Sequence, residues 1–334
     1  MQIKIPYSWL MAILVALVLL LFAISISIGH VWLNPLDALW SGAGSISAAD
    51  HLILTEIRLP RAVLGLIIGA ALGLSGATLQ GLLRNPLAEP GLLGISASAS
   101  LGAVLAIYTG LSAAFAYALP ISALLGALVA VVLLRALAGK SADILTIILS
   151  GVALTSLAGA LTSLTLNMSS NPFAALEIVF WMLGSLADRS WVHVGMALPF
   201  ILLGSVLLLA TARALDALSL GQDVARSMGV NLNRTNLLAI FGTALSVGAA
   251  TAVSGAIGFV GLVVPHLLRP LVGNRPSHLL PASALGGAAF LLLADIAVRF
   301  VFPDKDLKLG VITALVGAPF FFWLLHNVKK RTQL

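Results

Sequence analysis

The chain has 334 residues, of which 60% are hydrophobic and only 9% are charged, whereas soluble domains carry about 25% charged residues. So little polar surface excludes a water-soluble globular protein, and the length is better counted in membrane spans of about 20 residues each. The absence of cysteine excludes disulfides, cysteine-ligated zinc and iron–sulfur clusters, and the net charge of +6 is interpreted as the basic bias of cytoplasmic loops rather than as a nucleic-acid-binding signal.

Apolar runs along the chain predict an all-α polytopic membrane protein with about ten transmembrane helices, folded as a single domain over residues 1–334. The first run is longer than the core of a signal peptide, so we interpret it as a retained span. Residues 171–191 are predicted to form an interfacial or re-entrant helix. The predicted spans are 8–29, 60–82, 93–110, 114–137, 143–166, 192–212, 235–255, 256–272, 279–301 and 309–326.

The charges of the loops predict the orientation in the membrane. With ten spans, the side that carries both termini holds 12 of the 18 basic residues and 4 of the 12 acidic ones, a net charge of +8. The opposite side holds 6 basic and 8 acidic residues, a net charge of −2. By the positive-inside rule, both termini are predicted to be cytoplasmic.

The stretch EIRLPR, residues 56–61, lies on the predicted outer side, where basic residues are exceptional. Pro60 suits the first turn of a helix because its missing N–H has no partner there, and Arg58 and Arg61 then share one face. Both guanidinium groups can point together at an acidic partner, or they can reach lipid headgroups and anchor the helix. The residues alone leave both interpretations open.

The predicted span 60–82 repeats small residues at every fourth position, which is typical of closely packed membrane helices. The row comprises Gly65, Gly69, Gly73, Ala77 and Gly81. It predicts that this helix is central in the bundle rather than facing lipid.

An irregular stretch follows this span at residues 81–96, where two prolines stand beside Glu89. Irregular backbone at membrane depth is tolerated only where protein or a watery cavity covers it. A weaker echo at residues 255–270 has three glycines followed by Pro265, so the two interruptions suggest an internal repeat.

The longest predicted cytoplasmic loop covers about residues 213–236 and contains the stretch ALDALSLGQDVARSMGVN. We predict a helix over 218–228 that ends at Gly229, with Asp216 or Ser219 as its N-cap. Its mixture of polar and apolar residues is typical of a surface that binds a partner or, alternatively, of a solvated loop.

Several other chemistries lack their residue patterns. The stretch AGKS, residues 138–141, lacks the first glycine of a phosphate-binding loop, so any ATP is expected to bind to another chain. The six histidines show no metal-ligand spacing, and no nucleophile–base group is present. Acidic residues are almost absent from the spans, which disfavours the alternative function of an ion-coupled secondary transporter with inverted repeats.

Four stretches of the chain resemble the FecCD permeases, the membrane subunits of bacterial ABC importers for iron–siderophores, haem and vitamin B12. The resemblance covers nearly the whole chain and implies the BtuC-like fold of type II importers, with ten helices per subunit, in the bacterial cytoplasmic (inner) membrane. The stretches are RLPRAVLGLIIGAALGLSGATLQGLLRNPLAEPGLLGIS (58–96), LSLGQDVARSMGV (218–230), SGAIGFVGLVVPHLLRPLVG (254–273) and LLLADIAVR with GVITALVGAPFFFWLL (291–325).

The resemblance also implies the partners. A second copy of the chain would complete a homodimer around a central pathway, two ATPase subunits would bind ATP and Mg²⁺ on the cytoplasmic face, and a substrate-binding protein would dock outside. The chain itself would be a transporter subunit in lipid, without enzymatic activity, without a cofactor or metal of its own, and without a nucleic-acid partner.

Two sites follow from the resemblance. In the family, arginines that match Arg58, Arg61 and Arg299 meet glutamates of the binding protein, which implies a docking site. The segment 218–229 would couple the permease to the ATPase. Its matching residues are Leu218, Ser219, Leu220, Gly221, Gln222, Asp223, Ala225, Arg226, Met228 and Gly229.

The translocation pathway is implied along the fifth and tenth spans. The fifth contributes a wall of hydroxyl side chains, namely Thr146, Ser150, Thr155, Ser156, Thr162 and Ser163. A gate is implied at Ser141, Asp143 and Ile144, although the vitamin B12 permease carries small hydroxyl residues where this chain has Asp143 and Ile144. A wall with little charge suits a bulky chelate, and the family roles rank an iron–siderophore first, haem second and vitamin B12 third.

Overall fold

The computed structural model describes residues 6–29, 32–33, 47–115, 117–139, 144–301 and 307–332, and these residues contain helices but no β-strand. Seven helices are long and apolar enough to cross a membrane, and four further apolar helices are shorter. All but one of them coincide with the ten predicted spans, which confirms the all-α polytopic fold. The helices are α1 Tyr7–Ser27, α2 Ala48–Leu82, α3 Ile95–Tyr108, α4 Ala118–Ala138, α5 Ile144–Asn167, α6 Trp191–Ala210, α7 Leu232–Ser254, α8 Val260–Leu268, α9 Pro276–Val301 and α10 Leu309–Thr332.

Short helices connect these elements. Leu111–Ala114 lies between α3 and α4, and Ala212–Leu218 continues from the end of α6. Pro172–Met182 is the remaining apolar helix, and it is too short to span a membrane. It lies within the stretch for which an interfacial or re-entrant helix is predicted.

Helix α2 lies at the centre of the bundle, as the row of small residues predicts. Of its most apolar 18 residues, 83% are buried inside the protein. A Cβ atom added at Gly69 would overlap the backbone of α9 at Gly287, and one added at Gly73 would overlap the carbonyl of Ser283. The small residues therefore allow α2 and α9 to approach at backbone distance.

Pro60 lies in the first turn of the α-helical stretch Leu59–Leu82, as the sequence predicts, but further helical turns precede it. Helix α2 already starts at Ala48, and Ile53–Arg58 forms π-helical turns immediately before the proline. Proline cannot donate the hydrogen bond that continues an α-helix, and a wider turn accommodates the missing donor. The arginines therefore lie inside a longer helix rather than at its mouth.

The two irregular stretches that the sequence predicts are both present, and they contact each other. After α2, the chain forms a 3₁₀ turn at Pro90–Leu93, and after α7, residues 255–259 are not helical. Gly261, at the start of α8, packs against Pro90 and against the carbonyl of Leu72 in the middle of α2. The two stretches therefore pack against each other and against the middle of α2.

The span predicted at 256–272 begins only at Val260. Gly255 and Phe259 have φ angles of +72° and +67°, and a left-handed residue interrupts an α-helix. The first residues of this predicted span are consequently a connection rather than part of the helix.

Pro265 lies inside α8 without ending it. The proline cannot donate to the carbonyl of Gly261, and the Nε2 group of Gln80 lies 3.3 Å from that oxygen as a substitute donor. Arg269 in turn donates to Oε1 of Gln80 at 2.6 Å and fixes the orientation of its amide. Gln80 of α2 therefore supplies the hydrogen bond to the carbonyl of Gly261 that the proline of α8 cannot donate.

The single helix predicted over 218–228 is wrong, because two helices meet there. Ala212–Leu218 ends before a turn, and Gln222–Ser227 starts after Gly221, whose φ is +120°. Such a backbone angle is accessible to glycine and breaks a continuous helix. The residues at the N-cap positions are Thr211 and Gly221, so neither Asp216 nor Ser219 caps these helices.

The predicted end of this segment at Gly229 is confirmed. Gly229 has a φ of +80°, its N–H donates to the carbonyl of Arg226 at 2.9 Å, and the N–H of Val230 donates to Ala225 at 3.0 Å. This pair of bonds is the Schellman arrangement that stops a helix at a left-handed glycine.

The two predicted sites lie at opposite ends of α2. Arg61 is near its beginning, whereas Gly81, 20 residues further along, packs against Leu215 of the connection after α6. With a rise of about 1.5 Å per residue the two ends are about 30 Å apart, which is the thickness of a bilayer core. We call the end with Arg58, Arg61 and Arg299 the arginine end, and the end with residues 213–236 the coupling end.

Candidate functional site

The arginine end contains an ion cluster around Asp295 of α9, whose side chain is 2% exposed. Nε and Nη2 of Arg61 lie 3.0 and 2.8 Å from its Oδ1 atom. Nη2 of Arg299, four residues further along α9, lies 2.9 Å from the Oδ2 atom. Both carboxylate oxygens are therefore paired, as a buried charge requires.

Arg58 and Arg299 also cap the C-terminal turn of α1. The last carbonyl groups of a helix have no donor within it and carry partial negative charge, so two guanidinium groups suit this position. Arg58 Nη1 donates to Ile26 O (3.2 Å) and Ser27 O (2.6 Å), and Arg299 Nη1 donates to Ser25 O (2.8 Å) and Ile28 O (2.9 Å). The two arginines thereby fasten α1 to α2 and α9.

Exposure separates the three arginines. Arg58 is 6% exposed, and the side chain of Arg299 is 12% exposed, whereas that of Arg61 is 19% exposed. Arg61 binds Asp295 through its Nε and Nη2 atoms, and among the described residues its Nη1 atom makes no hydrogen bond to that carboxylate. The described contacts of the two arginines differ, because Arg61 faces Asp295 whereas Arg58 faces the end of α1.

The cluster keeps a positive charge despite its internal pairing. Among the described residues, Arg61 and Arg299 share the single carboxylate of Asp295, which leaves this group with a formal charge of +1. An acidic surface would be attracted to that charge and could bind the remaining donors of Arg61.

The coupling end exposes an apolar stripe. Leu220, Val224 and Met228 are 65%, 45% and 62% exposed, and they follow each other at four-residue intervals. Asp223 and Arg226 flank them and form an exposed ion pair of 3.6 Å. We call the three apolar residues the coupling stripe; exposed apolar side chains with a charged rim are typical of protein-binding surfaces.

The remaining predicted coupling residues differ in burial, and this difference separates those that hold the segment to the bundle from those on its surface. Leu218 and Ala225 are buried, Gly221 and Gln222 are half-buried, and Ser219 and Gly229 are exposed. The two buried side chains attach the segment to the bundle, and the exposed ones extend the surface around the coupling stripe.

Asp216 fastens this segment to α9. Its Oδ1 atom accepts a hydrogen bond of 2.8 Å from the backbone N–H of Ser277 in the first turn of α9, and Oδ2 lies 3.3 Å from Nε of Arg275. A carboxylate at a helix N-terminus is favourable because it meets unpaired N–H groups and the positive end of the dipole. Asp216 therefore caps a helix, but one that lies outside its own segment.

The hydroxyl residues of α5 do not lie on one face. Ser150 and Thr162 are buried within the subunit, and Thr146 is half-buried. Thr155, Ser156 and Ser163 are exposed, but the hydroxyl of Thr155 donates to the backbone of its own helix. In this conformation Ser156 and Ser163 are the two predicted pathway hydroxyls that face outward without an intrahelical hydrogen bond among those described.

The predicted gate lies mostly beyond the structural description. Ser141 and Asp143 fall outside the described residues, and Ile144 is the first residue of α5. The gate assignment consequently stays a prediction from the family resemblance.

Helix α10 borders an apolar cavity of about 590 Å³. The other side of the cavity is lined by Leu183, which follows the helix Pro172–Met182, and by Ala256 in the connection before α8, and the cavity is open to the surroundings. Its lining residues are Leu183, Ala256, Gly310, Val311, Ala314, Leu315, Ala318, Pro319 and Phe322. Such a surface can contact an apolar body without binding it through charge.

The described residues provide no group of three His, Asp or Glu side chains that could hold a metal ion. Asp295 and Glu89 are each paired within the protein, the one with arginines and the other with a backbone N–H.

Two residues of these candidate sites escaped the sequence analysis. Asp295 is the partner of Arg61 and Arg299, and its four-residue spacing from Arg299 on one helix was a usable signal. Val224 completes the coupling stripe, and its four-residue distance from Met228 pointed to a shared face of one helix.

The chain matches the model of the FecCD transport family over residues 17–327. It is 42% identical over 283 residues to the cobalamin import system permease protein BtuC of Halobacterium salinarum, an alignment that covers 84% of this chain and 75% of the relative. It is 38% identical over 319 residues to the Fe(3+)-citrate import system permease protein YfmE of Bacillus subtilis, with 95% of both chains covered.

A solved structure has the same fold. A metal-chelate type ABC transporter in an inward-facing conformation superposes with a TM-score of 0.86 and 34% sequence identity, over 96% of this chain and 99% of the other.

Proposed function

This chain belongs to the FecCD transport family and is a membrane-spanning permease subunit of an ABC importer, and we propose that it carries an iron chelate across the cytoplasmic membrane as one half of a homodimer. The observation that carries the proposal is the full-length match to the Fe(3+)-citrate import permease of Bacillus subtilis. ATP hydrolysis would take place on two separate ATPase subunits, and the cargo would be delivered by an extracytoplasmic binding protein.

For the cargo we rank an iron–siderophore first, haem second and vitamin B12 third. The exposed surfaces of α5 and α10 support a bulky chelate, because Ser156, Ser163 and the apolar cavity along α10 offer hydroxyl and apolar contacts without charge. A surface of this kind suits a metal whose charge is enclosed by its chelator. The relatives named for cobalamin and for ferric citrate support both kinds of cargo.

For docking we assign the direct contact to Arg61. Its Nη1 group and its exposure leave it able to bind a carboxylate of the binding protein, and the +1 charge of Arg61, Arg299 and Asp295 together would raise the rate of encounter. Arg58 and Arg299 would keep the site in place by holding the end of α1 against α2 and α9.

For coupling we assign the ATPase contact to the coupling stripe and its charged rim. Leu220, Val224 and Met228 are exposed at the end of the bundle opposite the arginines, and a partner that covers them would remove apolar surface from water. Because Asp216 joins this segment to α9, a displacement by the ATPase would pass into the bundle. This assignment places the coupling end in the cytoplasm, in agreement with the charge distribution.

Uptake by proteoliposomes tests the proposal. The permease would be reconstituted with the ATPase that co-purifies with it and assayed with a ferric hydroxamate siderophore, ferric citrate, haem and cobalamin, each with its binding protein. We expect uptake that requires ATP on the cytoplasmic side of the membrane and that is blocked by vanadate. Uptake that follows a proton or sodium gradient and ignores vanadate would establish a secondary transporter instead.

A further inference from the structure

The segment 89–94, which links α2 to α3, lies between the two helices that the proposed function assigns to the pathway. On one side it touches α5. The carbonyl of Leu92 lies against Gly151, so closely that a Cβ there would overlap it, and a Cβ at Gly94 would lie 2.7 Å from the Cβ of Leu154. We call residues 89–94 the bridging segment.

On its other side, the bridging segment reaches α10 through Phe259. The Oε1 atom of Glu89 accepts a hydrogen bond of 2.6 Å from the backbone N–H of Phe259. The ring of Phe259 packs on Gly317 of α10, where any Cβ would overlap it. One side chain, Glu89, therefore connects a segment held by α5 to a residue that presses on α10.

The conformation of Phe259 explains why a hydrogen-bond acceptor is needed at this position. Its φ of +67° is unfavourable for a bulky residue and persists only where the surroundings impose it. Phe259 also precedes α8, and its side chain cannot cap that helix. The buried carboxyl oxygen of Glu89 compensates for both, because it accepts the N–H of Phe259 at 2.6 Å and lies at the positive end of the helix dipole.

We propose that Glu89 is a positioning residue for transport, which fixes the location of α10 relative to α5 by holding Phe259 against Gly317. The proposal rests on the proposed function, in which α5 and α10 line the pathway. The bridging segment would then transmit a movement of either helix to the other.

Cysteine labelling can measure this link, because the chain contains no cysteine of its own. Ala314→Cys places a reporter on α10 beside the cavity, and Ala239→Cys places a control at a fully buried site in α7 that reacts only if the bundle opens. Each would be labelled with N-ethylmaleimide in phosphatidylcholine nanodiscs.

Removing the Glu89 carboxyl group is expected to change the labelling rate of the reporter cysteine at position 314 and not that of the control cysteine at position 239. Glu89→Ala should alter the labelling rate at position 314 by about tenfold, the effect of removing one buried hydrogen bond, and leave position 239 unreactive. Glu89→Gln keeps an oxygen that can accept from Phe259, so its rate should return toward that of the parent protein. An unchanged rate at position 314, an equal change at position 239, or a Gln variant as impaired as Ala would each overturn the proposal.

Two glycines of α5 provide a matched test of the other contact. Gly151→Ala inserts a Cβ into the bridging segment and should change the reporter on α10, whereas Gly159→Ala meets open space and should not. Equal behaviour of the two variants would contradict the link to α5.

Uptake separates this inference from the proposed function. In the proteoliposome assay, Glu89→Ala should keep ATP hydrolysis and lose uptake per ATP, since the coupling end is untouched. If the parent protein takes up none of the chelates, the proposed function fails while the labelling result still decides the inference; if the parent transports and Glu89→Ala transports equally well, the inference fails alone.

Discussion

Replacing Asp295 by asparagine removes the one negative charge of the arginine cluster and leaves its shape unchanged. Asp295 is 2% exposed and is shared by Arg61 and Arg299 at 2.8 and 2.9 Å. In the variant, an amide NH₂ group would face a guanidinium group, and two cations would be left without their counter-ion. Breaking a buried ion pair in this way costs about 3–5 kcal/mol, which corresponds to about a hundredfold or more in the unfolding equilibrium.

Asp223→Asn is the matched control. This aspartate also pairs with an arginine of its own helix, Arg226, but the two side chains are 98% and 64% exposed and their atoms are 3.6 Å apart. Solvent screens such a pair, so the variant should unfold like the parent protein. Unfolding by SDS in mixed micelles, followed by tryptophan fluorescence, compares the two substitutions.

The double variant Asp295→Asn with Arg61→Gln tests the cause of the loss. If the unpaired charge destabilises the protein, removing one of the two cations should restore part of the stability, so the effects should not add. Equal stability of Asp295→Asn and the parent protein, or strictly additive effects in the double variant, would refute the reasoning.

The proposed sites give three further predictions. Arg61→Gln should weaken binding of the substrate-binding protein by at least about tenfold, measured by surface-attached nanodiscs, whereas Arg226→Gln at the other end should not; equal affinities would remove Arg61 from docking. Val224→Asp places a charge in the coupling stripe and should abolish co-purification of the ATPase, so an intact complex would argue against this surface. Gly221→Val and Gly229→Val force a β-branched residue to positive φ and should reduce uptake per ATP hydrolysed; normal coupling in both would exclude the segment from the mechanism.

Local patterns predicted the elements of this fold well. The small residues of α2 identified the central helix because their spacing determines how closely a neighbour can approach, and Gly69 indeed faces the backbone of α9. Gly229 ended its helix for an equally local reason. Pro60 correctly indicated the first turn of the α-helical stretch Leu59–Leu82, but the π-helical turns before it depend on how the upstream residues pack, which the proline alone does not reveal.

Contacts between residues that are distant in sequence could not be predicted from such local patterns. Arg61 and Asp295 are 234 positions apart, and Glu89 and Phe259 are 170 apart, so neither contact has a periodicity from which it could be inferred. The distinct roles of Arg58 and Arg61 likewise depend on where α1 ends in space. The family resemblance indicated which residues matter, and the contacts indicate how their roles divide.

The central claim is that the arginine end lies outside the cell and the coupling end inside it. Ile57→Cys and Asp223→Cys test it directly, since both positions are exposed, neither belongs to the arginine cluster, and the chain has no other cysteine. With a membrane-impermeant maleimide, we predict that position 57 is labelled in intact cells, with the outer membrane permeabilised if one is present, and that position 223 is labelled only in inverted vesicles. Labelling of position 223 in intact cells, or of position 57 only in inverted vesicles, would contradict the account.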